Sequence, residues 1–222
     1  NKAILLRVGL DKGSGGSLAP IYPDGSFEWI PIPENKKTST PDSYDNTVTK
    51  KSGKLMSEFV PLKTKSLPLH SDPEFKTWSY GESAHPKIDQ MLTLDKGDLL
   101  IFYAGLQPDS PVDELSRIFI IAYFIVQKTT YLEHLNPDEY PSLRRKLGNN
   151  SHLFRLDPDR ELVIVSGHKK ESRVLDRALP LSDAGLHHPF VLPDLNCGYK
   201  GSLLRAVGHT LKDDGFEFIQ NY

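Results

Sequence analysis

The chain has 222 residues, 27 Lys and Arg against 29 Asp and Glu, and one cysteine. A formal charge of −2 excludes a global basic field for holding nucleic acid, so any such surface has to be a local patch that salt weakens. Cys197 alone excludes an internal disulfide framework and a multi-cysteine zinc site, and it fits a reducing, intracellular (cytoplasmic) setting. The length suffices for one sizeable core. No apolar run approaches the roughly 20 residues that a bilayer demands; Ile118–Val126 is far too short. No signal-like segment opens the sequence, and no membrane partner is expected.

Seventeen prolines and sixteen glycines break the chain into short pieces. The expectation is one β-rich α+β domain over residues 1–222, with a mixed or barrel-like sheet and a few short helices. The first strand is Ala3 to Leu10. A turn at Asp24-Gly25 leads to a second over Phe27–Ile30, which Pro31 and Pro33 confine to an edge. Residues 34–54 are polar and read as a loop insertion. Pro68 to Phe75 is a polar turn region. A short helix starts near Pro86 and carries Ile88, Met91 and Leu92 at helical spacing. Two runs rich in Ile, Phe, Tyr and Val, Leu99–Gly105 and Arg117–Lys128, form an antiparallel pair at the heart of the sheet. Helical character returns over Pro137–Leu147, Leu162–Gly167 is a strand, and Ser172–Ala178 reads as one or two helical turns. Ser202–Val207 gives a short helix and Phe216–Ile219 a last strand.

The richest local signal is Val8-Gly9-Leu10-Asp11-Lys12-Gly13-Ser14-Gly15-Gly16, placed where the first strand ends. Glycines let consecutive N–H groups converge on an anion. Lys12 is able to neutralise a phosphate, and Asp11 to hold a metal or a sugar hydroxyl. With Ser14, Gly15 and Gly16 they compose the phosphate or metal end of a nucleotide site. The spacing matches neither a P-loop nor a dinucleotide fingerprint, and the bland reading is a flexible turn.

His70, Asp72 and Glu74 fall at i, i+2 and i+4, on one face of an extended chain. One imidazole and two carboxylates suit a divalent metal or general acid–base work; the alternative is a surface turn interrupted by Pro73. His70 and Asp72, with Asp11, are the candidate catalytic residues. Lys169, Lys170, Ser172 and Arg173 follow a strand that ends in Gly167. They supply phosphate contacts at a helix start, or only a solvated turn. Trp78 and Tyr103 are the rings placed to stack on a base, although core packing is the commoner use of such rings. His187-His188 beside Pro189 reads as a surface loop, and Cys197 as a small buried filler.

Two resemblances follow from these motifs. The stretch Arg7 to Gly16, then Pro20 to Glu34, with Tyr80-Gly81, Lys96–Gly105 and Leu162–Gly167, resembles the nucleotide modification associated domain 3 family over nearly the whole chain. That resemblance implies association with enzymes that modify bases in nucleic acid, and so a nucleotide or nucleic acid as partner. The pair Lys96–Tyr103 and Ile120–Val126 is similar to the strand pair of PUA-like barrels, including the ASCH and EVE groups, which implies RNA or modified-base binding in a pocket beside that pair. Three functions stay open: an enzyme acting on nucleotides or bases, a non-catalytic reader of modified bases, and a structural subunit of a modification complex.

Overall fold

The computed structural model describes residues 2–109, 117–159, 161–181 and 208–211. The strands are β1 (Ala3–Arg7), β2 (Ala19–Ile21), β3 (Ile32–Pro33), β4 (Leu69–His70), β5 (Ser79–Glu82), β6 (Leu99–Pro108), β7 (Arg117–Tyr131), β8 (Val163–Gly167), β9 (Arg173–Pro180) and β10 (His209–Leu211). Two helices, α1 (Lys87–Leu92) and α2 (Tyr140–Lys146), and several single 3₁₀ turns complete the described elements. Eight strands form one mixed sheet in the order β10-β1-β6-β7-β8-β5, with β2 extending the β1 side of β6 and β9 pairing with β7. The sheet is open, not closed into a barrel. β3 and β4 make a separate antiparallel pair.

The β6–β7 hairpin is the spine, as the two apolar runs predict. Leu99 pairs with Ile125 and Leu106 with Arg117, with one irregularity at Phe102/Tyr103. β1 lies parallel to β6, Ala3 opposite Leu99 and Arg7 opposite Tyr103. Both strands are buried on both faces, as central strands with near-continuous apolar runs are. Alternate side chains therefore enter different cores. Ile4, Leu6, Leu100 and Phe102 pack on one face, beneath Ile88 and Met91 of α1. Leu5, Leu99, Ile101 and Tyr103 pack on the other.

β7 has fifteen residues, and β8 covers only its Val126–Tyr131 half. The vacant edge at Phe119–Tyr123 is taken by β9. This is the reason that Ser172–Ala178 is not helical: an unpaired central-strand edge supplies ladder partners that two isolated helical turns lack. No helix start follows Gly167 either. The expected strand Phe27–Ile30 shrinks to a single bridge, Ile21 with Phe27, since Pro31 and Pro33 remove ladder donors just beyond it. The expected elements at Ser202–Val207 and Phe216–Ile219, and also His187, His188 and Cys197, lie outside the described residues.

Residues 34–54 contain no named strand or helix, yet they are tied to the core. The Tyr44 ring is fully buried and its hydroxyl donates to the Pro31 carbonyl at 2.7 Å. The buried Glu28 carboxylate accepts the Lys51 and Ser52 amides. Tyr44→Phe keeps the ring and strands that carbonyl. We expect a loss of about 1 kcal/mol, read as a lower midpoint in urea unfolding with an unchanged slope.

Candidate functional site

β1 runs out at Arg7, and the glycine-rich turn follows. The turn is closed on itself. The Ser14 amide donates to Asp11 Oδ1 at 2.6 Å and the Gly16 amide to the Asp11 carbonyl at 3.0 Å. Gly15, at φ +131°, lies so close to Leu10 that a Cβ there would sit 2.1 Å from its Cδ1. The glycines thus serve the bend and its packing. Asp11 and Ser14 face a cavity of about 230 Å³, and the Arg7 guanidinium reaches Asp11 Oδ2 at 3.5 Å. Lys12 is exposed.

The floor of this cavity comes from four other places in the chain: His70 at the end of β4, Asp72 just after it, Tyr80–Glu82 on β5, and His152 in the 3₁₀ turn Ser151–Phe154. Lys87, the first residue of α1, completes the wall and is ion-paired with Glu82. The sequence-derived Asp11, Ser14, His70 and Asp72 are therefore brought together around one space.

Glu74 is not there. Its carboxylate accepts the amides of Lys76 and Thr77 and the hydroxyls of Thr77 and Ser79. β4 ends at His70, so the alternation that would have aligned residues 70, 72 and 74 does not continue. His152 takes the third position. One ligand atom each from His70, Asp72 and His152 lies within 4.8 Å of the other two.

Each of these three side chains is oriented from behind. His70 Nδ1 sits 2.7 Å from Glu34 Oε2, and His152 Nδ1 sits 2.7 Å from Asp159 Oδ2. Arg155, which only donates, also comes within 3.0 Å of His152 Nδ1 and 3.4 Å of His70 Nδ1. The carboxylates are the nearer partners and only accept, which favours the proton on Nδ1 in both rings and leaves Nε2 as the remaining nitrogen. Arg155 bridges the two carboxylates. Its Nε and one terminal nitrogen hold Glu34 at 3.0 and 3.3 Å, and its other terminal nitrogen holds Asp159 at 2.7 Å. Lys36 adds a 2.5 Å contact to Asp159. Asp72 is fixed through Oδ1, which accepts the Gly81 amide at 2.8 Å and the Asn150 side-chain amide at 2.9 Å. Its Oδ2 faces His152 Nε2 at 3.5 Å. Gly81 is required by this crowding, since a Cβ there would lie 2.6 Å from His152 Cδ2.

Electrostatics follow from the same contacts. Burial pushes the Glu34 carboxyl up, but hydrogen bonds from His70, the Lys36 amide and Arg155 outweigh it and hold the group at about 2. Asp159 is likewise lowered: burial opposes, while bonds from His152, Lys36 and Arg155 prevail. For His152 burial disfavours the charged ring, but Asp159 and Asp72 raise its pKa above the usual histidine value. Burial, followed by the Glu82 and Asp72 charges, drives the Tyr80 hydroxyl far up.

The remaining sequence-derived residues lie elsewhere. Lys169 lines a second, larger cleft of about 830 Å³. The Ser172 hydroxyl is buried and accepts the Ile125 amide at 3.1 Å. Arg173 donates to the carbonyls of Lys170 and Ser172. Tyr103 is fully buried in the second core. Trp78, at φ +60°, packs edge-on against Phe75 and Phe124. Sequence reasoning missed His152, Glu34, Arg155 and Asp159. The one available trace was the polar series His152, Arg155, Asp159, which carries no recognised spacing.

Arg155→Met removes the cation that two buried carboxylates share. Breaking a buried pair from one side costs about 3–5 kcal/mol, so a large fall in the thermal midpoint is expected at neutral pH. The wild-type contribution has a defined pH window. Glu34 titrates at about 2 when folded against an ordinary 4.5, so its share of the stability is complete above that ordinary value and is lost as pH falls toward 2. The gap between wild type and Arg155→Met should therefore narrow on acidification, which melts at a series of pH values will check.

The family model described as nucleotide modification associated domain 3 matches residues 2–195. No curated protein matches the chain, and no solved structure matches it.

Proposed function

Because this chain belongs to the nucleotide modification associated domain 3 family, we propose that it acts on a nucleotide within a nucleic acid, holding the polyanion in the larger cleft and taking the polar end of one nucleotide into the His70–Asp72–His152 cavity. The observation that carries this reading is the charge of the cleft. Lys96, Lys128, Arg145, Lys146 and Lys169 line it, and no carboxylate does. None of the five is ion-paired among the described residues. Five like charges around one concavity repel each other unless an anion answers them, and a chain of net charge −2 has concentrated them here. Phosphates spaced along a strand are such an anion.

The cleft and the cavity share the β5–β8 ladder. Ser166 and Gly167 line the cleft, while Tyr80 and Gly81, opposite Val165 and Ile164, line the cavity. Gly167 and Ile164 are three positions apart, about 10 Å of strand. At about 230 Å³ the cavity suits the edge of a base or a sugar phosphate, smaller than the usual small-molecule pocket. Arg7, Ser14 and Lys87 are the groups for phosphate or sugar oxygens. Asp11, His70 and Asp72 keep their assignment to the reacting end, joined by His152. Two imidazoles and a carboxylate held this closely are more than recognition needs, which favours action over reading.

Fluorescence anisotropy with labelled single-stranded and duplex oligonucleotides tests the reading. Binding should weaken steeply as salt rises. Arg145→Ala/Lys146→Ala should lower affinity at least tenfold and flatten the log–log salt slope by roughly 1.5, for two lost phosphate contacts. Asp72→Asn should leave that affinity within about twofold, being in the cavity and not the cleft. No binding at low salt, or a double variant indistinguishable from wild type, contradicts the proposal.

A further inference from the structure

We infer that the cavity is a mononuclear metal site, in which Nε2 of His70, Nε2 of His152 and Oδ2 of Asp72 bind one divalent transition-metal ion and leave its remaining positions open to the cavity. Four observations converge on it. One ligand atom from each of the three residues already lies within 4.8 Å of the other two. The His152 Nε2 to Asp72 Oδ2 separation is 3.5 Å, long for a hydrogen bond but close to the roughly 3.4 Å between two ligands each about 2.1 Å from a tetrahedral ion. No protein group among the described residues bonds His70 Nε2.

The atoms behind the donors make the second argument. Histidines that ligate metals characteristically donate their other ring N–H to a carboxylate, which fixes the tautomer and turns the lone pair toward the ion. Here each Nδ1 lies 2.7 Å from a carboxylate, that of Glu34 for His70 and that of Asp159 for His152, the arrangement such a bond needs. Asp72 has its inner oxygen occupied by two N–H donors and its outer oxygen turned to the site.

Charge is the third. Asp11, Asp72 and Glu82 line the cavity against Arg7 and Lys87, so with neutral imidazoles it carries one negative charge in excess. A divalent ion reverses that sign, and only then does the cavity favour a phosphate or a developing oxyanion. Fourth, the mixed imidazole and carboxylate set suits zinc, iron(II) or manganese(II), and not calcium or magnesium, which prefer all-oxygen sites. Water or a substrate oxygen would fill the open positions.

The ion needs no nucleic acid to bind, so the test leaves that ligand out. Protein stripped by a chelator is titrated calorimetrically with zinc and, separately, with manganese. One equivalent of at least one of them should bind at micromolar concentration or tighter, with a rise in the thermal midpoint. His152→Ala and Asp72→Asn should each weaken binding more than a hundredfold. Glu34→Gln should weaken it about ten- to a hundredfold through His70, a loss that a merely structural carboxylate does not predict once the variant is shown to be folded. His168→Ala, outside the cavity, should bind as wild type. Should Asp72→Asn fail to fold, His70→Gln takes its place. Absence of a one-to-one site for either ion, or affinity indifferent to His152→Ala, overturns the inference. Metal failing while oligonucleotides still bind overturns the ion alone, and the converse overturns the nucleic-acid reading alone.

Discussion

The Arg155 guanidinium between Glu34 and Asp159 is the constraint on which the candidate site depends. It joins the first residue of the long 34–54 segment to the stretch that follows α2, and each carboxylate it holds grips an imidazole. Buried charges are tolerated only when paired and hydrogen-bonded. Here the pairing also sets direction, because a ring held at Nδ1 has one way to present Nε2. Remove the cation and two buried carboxylates repel, and both rings lose their anchor together. The stability of this corner and the preorganisation of its chemistry are thus one network.

The sheet places that network against the other polar feature of the chain. β1 brings Arg7 and the glycine-rich turn to one side of the cavity. β5, at the end of the sheet order, brings Gly81 and Glu82 to another. β8 connects β5 to β7, and β7, β8 and α2 line the cationic cleft. In the proposed division of labour, long-range charge captures a polyanion that overall net charge would repel, and short-range donors in a small recess do the chemistry. With neutral imidazoles the recess carries one negative charge in excess, so in this proposed scheme the two parts cooperate when an ion changes its sign.

The sequence made the spine readable because β6 and β7 are continuous apolar runs, a pattern that a central strand demands and few other elements permit. α1 was readable from Ile88 and Met91, and α2 from its polar helical stretch. β9 was not, because its strand character comes from the vacant edge of β7 and not from its own residues. Phe27–Ile30 misled for the opposite reason: strand-forming side chains sit where prolines deny a ladder. Within the site, Asp11, Ser14, His70 and Asp72 were legible as chemistry-bearing residues at turn positions. Their partners were hidden by distance along the chain. Glu34 and Arg155 are 121 residues apart, and Asp72 and Asn150 are 78 apart. Local spacing favoured Glu74 as the third member, and only tertiary structure replaces it with His152. Tyr103 illustrates the same limit, since an aromatic ring on a strand buried on both faces has no side left for a ligand.

The most direct measurement is long-range ¹H–¹⁵N correlation of the His70 and His152 imidazoles in metal-free protein, at a pH where both rings are neutral. The account predicts the Nδ1–H tautomer for both, with Nε2 unprotonated and facing the cavity, and loss of that fixed tautomer in Arg155→Met. Finding the Nε2–H tautomer in either ring would contradict it, since no ring lone pair would then face the cavity.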